Sequence, residues 1–271
     1  MAQLLRTEWL KLKNYPAFWW LMGISLLSYP GINGFFYFIY KMASSRTDSE
    51  GGLINLLIGN PYSFPEIFRT VAYTSSYFVF IPAILILLQI SNEFTYKTNR
   101  QNIIDGWSRR QFMTAKLLGV VLVSALILFI YLVFIFLIGF FASSDIKADS
   151  FNLVYYAGLF GLQVFSQLSL AFLLGLLMRR AFIALGIFIF YMLIFENILV
   201  GIFKLKANDA GRFLLLEVSD RLTPVPEFIG RINEAGYLKS LDMINEHVFI
   251  TIIYTFIFWL LAFWVYKKRD L

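Results

Sequence analysis

Residues 117–142 read LLGVVLVSALILFIYLVFIFLIGFFA, with no charged side chain anywhere in the run. An uncharged apolar run longer than about 18 residues marks a membrane-crossing helix, because a helix satisfies its own backbone in hydrocarbon. A core helix of a soluble protein hides one stripe and keeps the other polar. Five further stretches are similarly apolar, Glu196 being the one charge within them: 16–40, 71–91, 151–178, 181–203 and 248–266. The quoted run itself extends back to 112. At about 1.5 Å per residue each stretch can cross a hydrocarbon layer of about 30 Å. The expected architecture is all-α: a polytopic membrane protein with six transmembrane helices.

The rest of the composition agrees. Of 271 residues 59% are hydrophobic and 15% charged, where a soluble domain carries about 25% charged residues. Mean hydropathy is +0.70. There is no cysteine and one histidine, His247. A disulfide framework and thiolate metal sites are excluded, and histidine-based catalysis and metal binding have little to work with. Residues 1–15 are basic and amphipathic and are read as a retained segment, not as a cleavable signal.

Orientation follows from the positive-inside rule. With the N-terminus in the cytoplasm, the inner segments carry Arg6, Lys11, Lys13, Lys97, Arg100, Arg109, Arg110, Lys116, Arg179, Arg180, Lys267, Lys268 and Arg269. Their acids are Glu8, Glu93, Asp105 and Asp270. The other side keeps the remaining 10 basic and 13 acidic residues, so the split is +9 against −3. The net charge of +6 is therefore a topology signal, and no nucleic-acid partner is expected. Both termini are expected in the cytoplasm, and membrane lipid is an expected partner.

Two inner segments carry most of the information. In the first, Leu5, Trp9 and Leu12 share one helical face while Arg6, Lys11 and Lys13 supply charge. Such a helix lies in the interface with its cations toward lipid headgroups. The second is the loop 92–111. Asp105-Gly106 marks a turn, and Ser108 with Gln111 forms a capping-box pattern at the start of the third span. Before the turn, residues 95–104 can form a short helix that ends in Ile103 and Ile104. Isoleucines exposed on a basic loop make a docking surface. An ordinary positive-inside loop explains the arginines but not Glu93 or the isoleucine pair. On the outer side the segments 41–70 and 204–247 are long. In the second, Pro224 and Pro226 are breakers, and Tyr237, Leu238, Leu241 and Ile244 have helical spacing.

Polar side chains inside spans are the candidates for a pathway. Gln163, Ser166 and Gln167 share a face of the fourth span, and Gln89 lies near the inner end of the second. Interhelical hydrogen bonding is the plain reading of these amides. Glu196 and Asn197 lie toward the outer end of the fifth span. A carboxylate in a span is functional by default, though one near the end can also reach interfacial water. Pro30-Gly31 and Pro82 should kink or end regular helix. Trp19, Trp20, Trp259 and Trp264 fit interfacial belts, and His247 an interfacial position.

The two inner segments together carry a resemblance. Glu8 and Lys11 stand as Glu-x-x-Lys; Glu93, Thr98, Arg100, Ser108, Arg109 and Lys116 follow in order after span two. In these motifs, the six-span layout, the long outer segment before span six and the basic C-terminus, the chain resembles permease subunits of the ABC-2 family of ABC transporters. Lys97 stands where that family often has glycine. The resemblance implies a type V exporter fold with an N-terminal elbow helix at 1–15 and a cytoplasmic coupling helix within 92–111. It implies residence in a prokaryotic cytoplasmic membrane and pairing with a second permease chain, as homodimer or heterodimer. It also implies docking on a separate ABC ATP-binding subunit through Glu8, Lys11, Glu93, Thr98, Arg100, Ile103, Ile104 and Arg109. ATP and magnesium then belong to that partner. The chain has no G-x-x-x-x-G-K-[ST], H-E-x-x-H or G-x-S-x-G motif, so neither enzymatic activity nor a bound cofactor or metal is expected of it. The expected function is export driven by the partner's ATP hydrolysis, with Gln89, Gln163, Gln167, Glu196 and Asn197 as the possible pathway. The alternative is a secondary transporter or channel that uses Glu196 as an ion or proton site.

Overall fold

The computed structural model describes residues 2–44, 60–143, 148–206 and 209–268. Residues 45–59 of the long segment expected at 41–70, and Arg269 and Asp270 of the charge balance, lie outside the described residues. Among the described residues all regular structure is helical. In order, α1 is Ala2–Lys13, α2 Pro16–Ser44, α3 Ile67–Ser76, α4 Phe80–Thr95, α5 Thr98–Ile104, α6 Arg109–Ala142 and α7 Tyr155–Met178. Then come α8 at Ala181–Phe190, a π-turn at Tyr191–Phe195 and α9 at Glu196–Leu205. The short helices α10 (Glu217–Asp220) and α11 (Glu227–Gly230) precede α12 (Glu234–Asp242) and α13 (Ile244–Lys268).

Among the described residues four stretches are long and apolar enough to cross a membrane: Arg109–Ala142, Asp149–Met178, Ala181–Leu205 and Ile244–Lys268. The pair α3 and α4 passes together as a fifth, bent by 48°. The bend has a local contributor. Pro82 has no N–H to donate back to Phe78, which weakens the helix at residues 77–79. The first of the six expected spans is the one not counted. Helix α2 is 29 residues long, but Tyr29, Pro30, Gly31 and Asn33 dilute its apolar character half-way. It stays helical through Pro30.

Helix α7 is the centre of the bundle. Its most apolar stretch is 72% buried, against 33% or less for the other three long spans. It packs against α3, α4, α6, α8 and α13. Lipid offers no hydrophobic drive between helices, so close backbone approach must supply the contact energy. Gly175 permits it: a Cβ there would come within 2.4 Å of Ile90 Cγ2 and 3.2 Å of the Leu87 carbonyl oxygen. Trp259 also belongs to this core and not to an interfacial belt. It stacks on Phe172 at 4.8 Å and donates from Nε1 to Ser169 Oγ at 2.9 Å. His247, expected at an interface, is buried, with Nδ1 2.7 Å from the Met243 carbonyl oxygen. Trp19, Trp20 and Trp264 are exposed, as a belt requires.

At the α1 end of the bundle, α5 is shorter than the expected 95–104 helix. Lys97 takes a left-handed φ of 55° and delays the start to Thr98. Gly106, at φ 98°, turns the chain after α5. The capping box at Ser108 then opens α6, with both reciprocal hydrogen bonds formed.

Gly175→Val should force α4 and α7 apart. Overpacking of this kind costs about 1–3 kcal/mol. We expect the apparent Tm of the purified protein to fall by several degrees, while Gly186→Ala, where an added Cβ meets nothing within 4 Å, leaves it unchanged.

Candidate functional site

Polar groups gather at the two ends of the bundle. At the α1 end the centre is Lys116, on the second turn of α6 and 3% exposed. Its ammonium donates to Glu8 Oε1 at 2.9 Å, to Glu8 Oε2 at 2.8 Å and to Glu93 Oε1. An ammonium has three N–H groups, and all three are used. Lys11 adds a bond to Glu93 Oε1 at 3.1 Å, and Gln89 donates to Glu8 Oε2 at 3.2 Å. Two acids and two bases therefore close into a neutral cluster that ties α1 to both α4 and α6. It also sets the face of α1. Glu8 and Leu12 point inward, and Leu5, expected on the apolar face with Leu12, is exposed.

The eight residues expected to dock a partner thus divide into four groups. Glu8 and Glu93 are buried with their carboxylates turned to Lys116, so they fasten α1 to the bundle and offer nothing to a partner's surface. Thr98, Arg100 and Ile104 are exposed on α5, Ile104 by 77%, while Ile103 is half-buried. Arg109 donates to the Lys267 carbonyl oxygen at 2.6 Å and holds the end of α13. Lys11 is partly exposed at the edge of the cluster.

At the opposite end the five expected pathway residues do not form one line. Gln89 belongs to the α1 end, as above. Gln163 and Gln167 reach out from α7 to α10. Each donates from Nε2 to Asp220 Oδ1, at 2.8 and 2.7 Å. Gln167 also donates to Ser219 Oγ at 3.1 Å, and Thr223 donates to Gln163 Oε1 at 3.1 Å. Glu196 is 4% exposed, and its Oε1 accepts from the N–H groups of Leu216 and Glu217 at 2.8 and 3.0 Å. It caps the start of α10 from a distant helix. The π-turn before it supplies the phase: Glu196 donates to Tyr191, five residues back, which shifts its side chain around the helix. Asn197 bonds the Met192 and Leu193 carbonyls within the same turn. So α10 is held at both ends, by Glu196 of α9 and by the glutamines of α7.

The remaining charges here are mostly paired. Arg221 bonds Glu217 at 2.8 Å and Asp209 at 3.2 Å. Arg69, 4% exposed on α3, bonds Glu66 and the Tyr237 hydroxyl and lies 3.5 Å from Glu227. Tyr237 sits on α12, the amphipathic helix expected there, and faces inward. Asp220 differs. Among the described residues no cation forms an ion pair with it, and its only side-chain partners are the two neutral amides. It stays in reach of solvent, yet the mass of protein around it resists its charge. Burial, opposed by the Gln163 and Gln167 amides and aided by Glu217, pushes its pKa from 3.8 up to about 6.

Reading the sequence missed Lys116 as a partner of Glu8, and Arg69, Asp220 and Thr223 altogether. Lys116 had one signal, a lone base at the edge of an uncharged run. Asp220 had none beyond its place in an outer segment. Among the described residues no group of three or more His, Asp or Glu is placed to hold a metal ion.

The family model described as a protein of unknown function, DUF2705, matches residues 56–271, which is most of the chain. The chain belongs to that family. The match takes in both polar sites except the residues that α1 contributes. No curated protein matches the chain.

Two outcomes follow. Lys116→Met leaves Glu8 and Glu93 buried without their shared cation, a loss of about 3–5 kcal/mol. It should lower the apparent Tm sharply and open α1 to protease, whereas Arg110→Met, in an exposed position, changes neither. For Asp220 the folded chain holds its proton up to about pH 6 and the unfolded chain only to about 3.8. The stabilisation is therefore full below the lower value and lost as pH rises through the upper one. Asp220→Asn should raise the apparent Tm above about pH 6 and leave it unchanged near pH 4.

Proposed function

We propose that this DUF2705 protein is the membrane-spanning permease subunit of an ATP-driven exporter of the ABC-2 kind. The observation that carries the proposal is the Lys116 cluster. In this reading α1 is the elbow helix and α5 the coupling helix. Lys116, Glu8, Glu93 and Lys11 join them rigidly, because α5 leaves α4 directly after Glu93. A push on α5 would then move α1, α4 and α6 together, where a plain loop would absorb it. The exposed Thr98, Arg100 and Ile104 are the surface on which a separate ATP-binding subunit would push.

The six spans are α2, the bent pair α3–α4, α6, α7, α8–α9 and α13, with both termini in the cytoplasm. An even number of crossings puts the termini on one side, and the charge split makes that side the inner face of a prokaryotic cytoplasmic membrane. Two such chains, identical or related, would form the pathway and two ATP-binding subunits would dock beneath them. ATP and magnesium would bind to those subunits, and this chain would catalyse nothing. The alternative of an ion-coupled transporter built on Glu196 loses support from geometry, since Oε1 of that carboxylate already accepts from two backbone N–H groups.

Ile104→Asp tests the assignment. It puts a charge on a side chain that the fold does not bury, so folding should be intact. Co-purification of the ATP-binding subunit should drop about tenfold or more, as for an interface anchor, and ATP-driven export should drop with it. Undiminished co-purification together with undiminished export would refute the docking role of α5.

A further inference from the structure

The 48° bend between α3 and α4 opens a groove of about 570 Å³ beside α2, within the range of small-molecule sites. Its walls include Phe36 and Ile39 of α2, Thr70 and Tyr73 of α3, Tyr77 just after it, and Phe228 of α11. They are apolar but for a few hydroxyls. Tyr77 donates to the Tyr73 hydroxyl at 2.7 Å, which leaves the Tyr73 hydrogen free to turn toward a ligand. Thr70 is 2% exposed and its hydroxyl has no hydrogen-bond partner. A buried hydroxyl without a partner costs about 1–3 kcal/mol, and here it stands in the wall of an open groove.

Asp220 does not line the groove but lies near it on the side of Tyr77. Tyr77 lies within electrostatic reach of Asp220. The strand of chain from Asp220 through Thr223 to Pro226 and Phe228 runs from the carboxylate into the groove wall. Neighbouring acids have their cations within the protein: Asp209 and Glu217 share Arg221, and Glu66 and Glu227 share Arg69. Asp220 is held in place by two neutral amides and is not neutralised. A carboxylate fixed this way favours a cation brought from outside.

We infer that the groove and Asp220 together form a binding site for a cationic amphiphile. A long hydrocarbon chain would lie between α2 and α3, a carbonyl or hydroxyl would meet Thr70 and Tyr73, and a protonated amine would sit on Asp220. The site needs no ATPase and stands apart from the transport reading. Only the step that makes this amphiphile the exported cargo rests on that reading.

The test uses the full chain in nanodiscs of uncharged lipid, without an ATP-binding subunit, and two diazirine probes, hexadecylamine and hexadecanol. Crosslinked peptides are mapped by mass spectrometry at pH 7.5. The amine should label the peptides carrying Phe36, Tyr73 and Tyr77 at about three- to fivefold lower concentration than the alcohol, the effect of one solvent-exposed charge pair. Asp220→Asn should erase that difference, while an apparent Tm no lower than that of the unaltered chain verifies the fold. Ile39→Trp fills the groove away from Asp220 and should remove groove labelling by both probes. Equal labelling by amine and alcohol overturns the cation site, and so does a preference that survives Asp220→Asn. Labels spread evenly over the lipid-facing helices, with no concentration at the groove, overturn the whole site. None of these outcomes bears on ATPase co-purification, so a failure here and a failure of the permease assignment are separately visible.

Discussion

A lysine ammonium at the edge of hydrocarbon has three hydrogens to place, and Lys116 places all of them on two carboxylates from two other helices. Much of the α1 end follows from that. Glu8 must turn inward, so α1 packs on the bundle by its Glu8–Leu12 face. Glu93 must stay at the end of α4, so the chain leaves for α5 from a fixed point. Lys11 then balances the second acid. A group of this kind adds little net stability over an apolar replacement, but removing one member leaves a bare charge. Its effect is to make one geometry much better than the rest.

The far end is built on a different principle. There the connection between α9 and α13 must be held over the bundle without a helix of useful length. Side chains from inside the spans do it. Glu196 caps α10 at its start and Gln163 with Gln167 hold its last residue. These are hydrogen bonds from buried membrane-helix residues to a connecting segment, so the amides of α7 are glue between a span and a connection, not between two spans. Among the described residues Asp220 forms no ion pair, and it lies near Tyr77, at the bend after α3. The charges of the Lys116 cluster balance, whereas Asp220 has no ion-pair partner among the described residues, and that asymmetry underlies both functional proposals.

The bend and the π-turn have one feature in common. Each is a local fault in a helix that aims a side chain where a regular helix would not. Pro82 removes a hydrogen bond and lets α3 tilt away from α4. The π-turn inserts one residue into the ladder and rotates Glu196 toward residues 216 and 217. Both faults lie beside the far-end cluster.

The helices themselves were legible in the sequence, because hydropathy and hydrogen bonding along a helix are local. The run 112–142 became Arg109–Ala142, 181–203 became Ala181–Leu205, and Ser108 with Gln111 formed its capping box. The break expected at Pro82 was legible for the same reason. Side-chain destinations were not. Lys116 and Glu8 are 108 residues apart in the chain, and Glu196 meets a backbone 20 residues on. Periodicity tells which face of a helix is apolar but not which helix that face will meet, and one extra residue in a π-turn changes the face. Glu8 looked like a surface residue and is buried; Glu196 looked like a free carboxylate and is a cap; Asp220 gave no signal and became the one uncompensated acid beside the groove. Those outcomes depend on how separate helices cross, and crossing is set by packing over the whole bundle, not by any one segment.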